Sequence, residues 1–220
     1  GILLSSAIKR YVDFFGVVCG EKNALFTNND SAYETAISLI QKGINIEAII
    51  DNREEVDSKL IYEVEKNNIK IFKGFTVIDT FGYKRINKIS IKKLSKDGQK
   101  VVGSKINLSC DCLGVSGGWT PAVHLFTQSG GKLKFREDDQ VFIPNFYPSD
   151  QLSIGSCNGD FTLDEILINT RESLKKFLNI KNTEFENLEI LSSSNKLKRN
   201  IWLLPSDKVL GKTKSFVDYQ

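Results

Sequence analysis

Residues 23–51 read NALFTNND, then SAYETAISLIQKG, then INIEAIID, and this stretch decides the fold. The first run is a short apolar strand closed by small polar residues. The second sets Tyr33, Ala36, Ile37 and Ile40 on one helical face, and the third is another apolar strand. Together they make one βαβ unit, with Gly43 where a helix end needs a residue free to take positive φ. Asp51 ends the second strand about 20 residues past the turn, where dinucleotide folds place the acid that binds a ribose 2′-hydroxyl. The topology is that of a nucleotide-binding domain.

The turn argues the other way. In GxGxxG the first glycine makes the tight turn, the second admits phosphate oxygens to the backbone, and the third lets helix and strand pack closely. Those positions here are Thr27, Asn29 and Ala32. Asn29 puts a side chain where a phosphate would lie. Asp30 is expected to cap the helix with its own carboxylate and fill the anion site from within. The stretch therefore reads as a dinucleotide scaffold without its phosphate cradle.

Outward from this unit, Leu4, Ile8, Tyr11, Val12 and Phe15 recur at helical spacing and predict a first helix ending before Gly16. After Asp51, the charged Arg53, Glu54 and Glu55 precede a helical pattern through Leu60, Ile61 and Val64, then a strand from Ile69. The run βαβαβ is one mononucleotide-binding half of a doubly wound sheet. From Phe75 the period changes to two. FTVIDT, YKRINKISIKKL and QKVVGSKINLS, with a turn at Asp97 and Gly98, predict an antiparallel ribbon with one wet face. Its lysines are read as a solvated strand face rather than an anion-binding surface.

Cys110 to Val115 predicts a buried strand running into SGGWTP, where Gly117 and Gly118 permit close backbone approach. Leu125 and Phe126 fall in a short helical or irregular piece, and KLKFRE and QVFIP predict a small hairpin. In SIGSCNGDFTLDEILINTRESLKKFL a strand is expected to end in Gly159 and Asp160, and Thr162 to Glu165 form a capping-box sequence. The helix stripe is Leu163, Ile166, Leu167, Leu174, Phe177 and Leu178. Asp160, beside a helix N-terminus, is the best ligand candidate, weighed against plain helix capping. NIWLLPS, from Asn200 to Ser206, reads as a further apolar strand, and the KLKR run near Lys196 as solvated surface.

Composition frames these readings. The chain has 220 residues, 40% hydrophobic and 10% aromatic, enough for a proper core in one or two domains. Its net charge of +3 is mild, so a nucleic-acid partner is not expected. No apolar run approaches the roughly 18 residues a membrane span needs, and no signal-peptide pattern opens the chain, so the cytoplasm is the expected compartment. Cys19, Cys110, Cys112 and Cys157 form no disulfide framework. Cys110 and Cys112 alternate, which predicts one shared strand face and buried packing rather than zinc. His124, the only histidine, has no accompanying nucleophile motif and is read as structural or interfacial. Asp51 is read as capping the next segment in preference to a ribose. No catalytic residue and no metal site is expected. The absence of methionine and the apolar KSFVDYQ ending lead us to expect a piece of a longer polypeptide.

The order of βαβαβ unit, ribbon, strand into a Gly-Gly turn with proline, and Gly-Asp before a helix is similar to flavoprotein reductases with two nested dinucleotide domains. More closely, FTNNDSAY, CLGVSGGWTPAVHLFTQSGGKL, NGDFTL, WLLPS and KSFVDYQ resemble the alpha subunits of heterotetrameric sarcosine oxidases, over essentially Gly1 to Gln220. The resemblance implies an α/β fold, a Rossmann-like parallel sheet with antiparallel ribbon. It implies a helical crossover segment over 1–22, an inserted degenerate NAD(P)-binding domain over 23–128, and a return segment to the first FAD/NAD-binding domain with a C-terminal extension over 129–220. Enzymes of this family oxidatively demethylate sarcosine with oxygen and tetrahydrofolate, giving glycine, methylene-tetrahydrofolate and hydrogen peroxide. FAD and FMN serve the complete enzyme with beta, gamma and delta subunits, and the alpha subunit holds a non-catalytic NAD. By the resemblance, Gly159 and Asp160 face that NAD, and Gly117 and Gly118 are motif glycines at the domain junction. The departures at Thr27, Asn29 and Ala32 belong to the inserted domain and count against a nucleotide there. The alternative is an NAD(P)H-dependent flavin oxidoreductase domain of the pyridine nucleotide-disulfide reductase type.

Overall fold

Two periodicities in the sequence produce two kinds of sheet. The computed structural model describes residues 1–56, 59–148, 150–180 and 204–207. The chain divides into two compact units, one holding Gly1–Gly118 with 204–207, the other running on from Trp119.

In the first unit, strands β1 (Ile2–Leu4), β2 (Asn23–Thr27), β3 (Ile46–Asp51), β4 (Lys70–Lys73) and β8 (Cys112–Ser116) form a five-stranded sheet in the order β1-β8-β2-β3-β4. Every pairing in it is parallel. Helices α1 (Ser5–Phe15), α2 (Ser31–Gln41) and α3 (Lys59–Lys66) connect successive strands. β5 (Phe75–Gly82), β6 (Ile86–Leu94) and β7 (Val101–Ser109) form a separate antiparallel three-stranded sheet. Alternate residues of the parallel strands face opposite ways. Leu25 and Ile49 join Ile8, Tyr33, Leu39 and Val64 in a core on the helix side. Ala24, Ala48 and Ile50 join Phe72, Ile89 and Ile91 on the ribbon side. Both faces of the parallel sheet are thereby covered, as such sheets require.

The helix ends follow from local chemistry. α1 stops at Gly16, which adopts φ +63; its N–H donates to the Val12 carbonyl and that of Val17 to the Tyr11 carbonyl. The Gly16-to-Val12 bond is that of the αL cap, which favours glycine because a Cβ is strained in the left-handed region. β8 admits α1 closely at Gly114, where an added Cβ would lie 2.6 Å from Leu25 Cδ2 and 2.9 Å from Ile8 Cδ1.

The structure corrects the expectation for the cysteine pair. β8 begins only at Cys112, which packs with Ile8, Leu25 and Tyr33, whereas Cys110 packs with Ala24 and Ile89 across the sheet. Asp111 turns the backbone between them: its N–H donates to the Lys22 carbonyl at 3.0 Å, and its carboxylate accepts the Glu21 and Lys22 N–H groups at 3.1 and 2.9 Å. Cys110 still donates to Asn87 O, continuing the ribbon, so the two thiols sit on opposite sides of the chain's change of sheet.

The second unit contains α4 (His124–Gln128), the hairpin β9 (Lys132–Arg136) and β10 (Val141–Phe146), and α5 (Leu163–Phe177). The residues before Gly159 are not a strand. Gly155–Asn158 is one 3-10 turn, bracketed by Gly155 at φ +67 and Gly159 at φ +85, conformations that extended pairing excludes. The capping box of α5 is complete: Glu165 N–H donates to Thr162 Oγ1 at 3.3 Å and Thr162 N–H to Glu165 Oε2 at 3.3 Å. Since no residue of α5 is buried, this cap matters more than usual to its helicity. Thr162→Ala is expected to cost about 1 kcal/mol and to lower the helical circular dichroism signal. An unchanged signal would show that packing, not the cap, holds α5. Of the apolar strand expected over Asn200 to Ser206, residues 204–206 are described and are not a strand. The rest of that strand, the KLKR run and KSFVDYQ lie outside the described residues.

Candidate functional site: a filled dinucleotide crevice

From β2 the sheet grows outward through β3 and β4, while β8 lies on the other side of β2. In parallel α/β sheets the crevice at such a reversal, beyond the carboxyl ends of the strands, is where ligands bind. The three strand ends are level: Thr27 pairs with Ser116 on one side and Asp51 on the other. The sequence therefore brings Thr27, Asn28, Asn29, Asp51 and Ser116 to the place where a pyrophosphate and a ribose would sit.

That place is taken up by the chain's own side chains. Asn29, 6% exposed, is the hub. Its Nδ2 donates to Asn28 Oδ1 at 2.8 Å and to the Ser116 carbonyl at 3.2 Å. Its Oδ1 accepts from the Ser31 N–H at 3.1 Å and the Ser31 hydroxyl at 2.5 Å. Asn29 N–H donates to Thr27 Oγ1 at 3.0 Å, and Asn28 Nδ2 donates to the Gly117 carbonyl at 2.9 Å. The Ser31 and Ser116 hydroxyls meet at 2.8 Å. An anion at a helix N-terminus is held by free backbone N–H groups. Those of Asn29 and Ser31 are already satisfied by Thr27 and Asn29. An NAD pyrophosphate does not fit these residues.

Asp30 does not cap the helix, contrary to the expectation. It has helical backbone angles (φ −77, ψ −17) and makes no side-chain cap hydrogen bond. Its carboxylate is drawn aside to Arg53 Nη1 at 2.8 Å, and Asn29 Oδ1 takes the amide instead. The same guanidinium reaches Asp51, with Nη2 donating to Oδ2 at 2.7 Å and Nε to Oδ1 at 3.0 Å. Arg53 N–H donates to Oδ1 at 2.9 Å, and the buried Tyr33 hydroxyl donates to Oδ2 at 2.9 Å. Asp51 is 0% exposed, so both of its oxygens face the protein and neither faces a ribose. Burial, then the Asp51 charge, pushes the Tyr33 phenol far above its ordinary range. Burial opposes the charge on Arg53, yet the Asp51 and Asp30 carboxylates carry its pKa upward. Arg53, Tyr33, Asn28 and Ser116 are not among the site residues expected from sequence, where Tyr33 reads as core and Arg53 only as a charged residue before α3. Only Arg53 carried a signal, as a basic residue two positions beyond the strand-end acid.

Gly117 and Gly118 close the first unit. A Cβ on Gly117 would meet nothing within 4 Å, so its contribution is the carbonyl that Asn28 holds; Gly118, at φ +131, needs glycine's freedom. In the second unit Gly159 is held tightly. Its carbonyl accepts from Arg136 Nη2 at 2.7 Å, and a Cβ there would lie 2.8 Å from that nitrogen. Asp160, 6% exposed, accepts from Asn169 Nδ2 at 2.8 Å through Oδ1. Its Oδ2 is buried without a hydrogen-bond partner among the described residues. A buried acceptor in that state suits a ligand hydroxyl. If so, Asp160→Asn leaves the thermal midpoint of the isolated chain within a few degrees, a change of about 1 kcal/mol or less. A fall well beyond that would show Oδ2 to be part of the fold. Among the described residues no group of three or more His, Cys, Asp or Glu side chains could hold a metal, and no helix is long and apolar enough to cross a membrane.

Parallel sheet, switch point and antiparallel ribbon define the class: an α/β fold of the flavoprotein type that carries two dinucleotide-binding domains. T. acidophilum thioredoxin reductase shares it, with a TM-score of 0.56, 16% identity and coverage of 81% of this chain and 57% of that one. So does the Escherichia coli flavoprotein disulfide reductase RclA, with a TM-score of 0.52, 11% identity and coverage of 81% and 39%. In sequence, the chain is 30% identical to sarcosine oxidase subunit alpha of Corynebacterium sp. (strain P-1) over 163 residues, which is 73% of this chain and 16% of that protein. The same subunit of Rhizobium meliloti (strain 1021) is 26% identical over 143 residues, 65% of this chain and 13% of the relative. The chain thus spans a small part of the curated relatives it matches. No family profile matches it.

Proposed function

We propose that this chain is a non-catalytic domain of a larger oxidoreductase of the sarcosine oxidase alpha type. In that reading it contributes an interaction scaffold and one edge of a dinucleotide site. The observation that carries it is the Asn29 hub: the scaffold for a coenzyme is intact, and the coenzyme's place is occupied by carboxamides and an Arg53-bridged pair of acids. The sequence similarity to two sarcosine oxidase alpha subunits supports the choice of enzyme.

On this reading the complete enzyme oxidatively demethylates sarcosine with oxygen and tetrahydrofolate, its flavins FAD and FMN supply the redox chemistry, and beta, gamma and delta subunits complete it in the cytoplasm. NAD lies mostly against polypeptide outside this chain. The residues present fit one contact to it: the unpartnered Asp160 Oδ2 accepts a ribose hydroxyl, while Gly159 supplies the left-handed turn beside it that Arg136 fastens. The segment 129–220 returns to the first dinucleotide domain. The exposed stripe of α5, with Leu163 69% and Leu178 57% exposed, supports a packing partner for it outside this chain. The inserted domain, expected over 23–128, is in this proposal the first compact unit, which also takes in β1 and α1 and ends at Gly118. The alternative, a free-standing NAD(P)H-dependent flavin reductase, shares the fold but needs an open turn after β2.

The test is to purify the native polypeptide through an antibody to this chain and record its mass, companions and visible spectrum. A polypeptide several times the 24.7 kDa of this chain, in a yellow complex with further subunits, is expected. A colourless protein of 24.7 kDa without companions would contradict the proposal.

A further inference from the structure

Two of the free cysteines, Cys19 and Cys112, pack in one core beside the start of β8. Cys19 lies half-buried in the loop between α1 and β2, and Cys112 is fully buried. The loop is fastened to that strand end. Lys22 exchanges hydrogen bonds with Asp111, and its carbonyl also accepts the Cys112 N–H at 3.4 Å. Arg85 donates to the carbonyls of Asp111 and Cys19. A Cβ built on Gly20 would lie 2.5 Å from Cys112 Cβ. The Cα of the adjoining Cys19 is therefore within about 8 Å of that atom. Both side chains belong to the helix-side core, while Cys110 packs on the other face of the sheet and Cys157 belongs to the second unit.

We infer that Cys19 and Cys112 are a redox pair that a peroxide closes into an intrachain disulfide. The Cys19 thiolate attacks one peroxide oxygen and breaks the O–O bond, leaving a sulfenic acid at Cys19 and, from hydrogen peroxide, one water. The Cys112 thiol then attacks the Cys19 sulfur, and the hydroxyl leaves with the thiol proton as a second water while the S–S bond forms. Two thiols are oxidised by two electrons, and one peroxide is reduced to two waters. Cys19 takes the first step because it is the accessible partner. Burial pushes its thiol up, but the Arg85 guanidinium opposes this. Burial, then the Cys19 charge, pushes Cys112 up to about 11. Arg85, Asp111 and the Gly1 amino group are the charged groups facing the pair. With both thiols above neutrality, this is a slow staple rather than a fast sensor, and its rate climbs about tenfold per pH unit until Cys19 ionises.

The test uses the 220-residue chain carrying Cys157→Ser, which removes the exposed thiol, treated with hydrogen peroxide and mapped by non-reducing peptide mass spectrometry. A cross-linked peptide pair containing Cys19 and Cys112, lighter by two hydrogens, is expected. Cross-linking is expected to raise the thermal midpoint, to reverse with dithiothreitol, to persist in Cys110→Ala and to vanish in Cys19→Ser. Oxidation of Cys19 to sulfinic acid without a cross-link, a disulfide that includes Cys110, or thiols that stay reduced would each overturn it. The peptide map of the Cys157→Ser chain decides the matter even if a further variant fails to fold.

Discussion

Arg53→Ala is expected to destabilise the chain by about 3–5 kcal/mol, the range for removing one partner of a buried ion pair. Arg53 joins Asp30 on the β2–α2 turn to Asp51 at the end of β3, contacting them at 2.8 and 2.7 Å. Asp51 is fully buried, so without the guanidinium its charge keeps only the Tyr33 hydroxyl and one backbone N–H. Two carboxylates would then face each other across the turn. Urea unfolding followed by far-ultraviolet circular dichroism measures the loss. Arg53→Lys should recover only part of it, because an ammonium cannot fork between two acids as a planar guanidinium does. A cost below about 1 kcal/mol for Arg53→Ala would mean that the pair is solvated and that the crevice is not closed by it.

Gly114→Val is expected to cost about 3 kcal/mol, at the upper end for overpacking a core. Even a single Cβ there would lie 2.6 Å from Leu25 Cδ2 and 2.9 Å from Ile8 Cδ1, and the Ser5 Cα is already at 3.5 Å. Leu25 and Ile8 are themselves buried between α1, α2 and the sheet, so they have little room to turn aside. The consequence reaches the crevice, because β8 carries Ser116 and Gly117, which Asn29 and Asn28 hold. Thermal unfolding should fall by several degrees, and Gly117→Ala, with open space around it, should fall by far less. Equal losses for the two would show that helix approach at Gly114 is not what the glycine provides.

Much of the architecture could be read from the chain because period and punctuation agree. The apolar runs of β2 and β3 are buried on both faces, the ribbon alternates, and Gly16, Gly43 and Gly98 take the left-handed angles that their places in the chain demand. Two of the failures were decided by contacts distant in sequence and a third by local glycines. Asp30 looked like a cap because nothing nearby shows that Arg53 draws its carboxylate away. Cys110 and Cys112 looked like one strand because Lys22, which bends Asp111 between them, lies far back in the sequence. The run before Gly159 looked extended, yet two left-handed glycines wind it into a 3-10 turn. At the site, the obstruction by Asn29 follows from residue type alone. The hydrogen-bond circuit that makes it permanent needs Ser116, which only the fold brings alongside.

The most direct measurement is a calorimetric titration of the 220-residue chain with NAD, NADPH and ADP-ribose. With Asn29 and Ser31 amides spent and Asp51 held by Arg53 and Tyr33, no binding heat is expected for any of the three ligands up to millimolar concentration. The triple variant Thr27→Gly, Asn29→Gly, Asp30→Ala removes the obstructing groups and serves as the comparison. Micromolar binding by the unaltered chain, at a strength the triple variant does not exceed, would contradict a crevice filled from within.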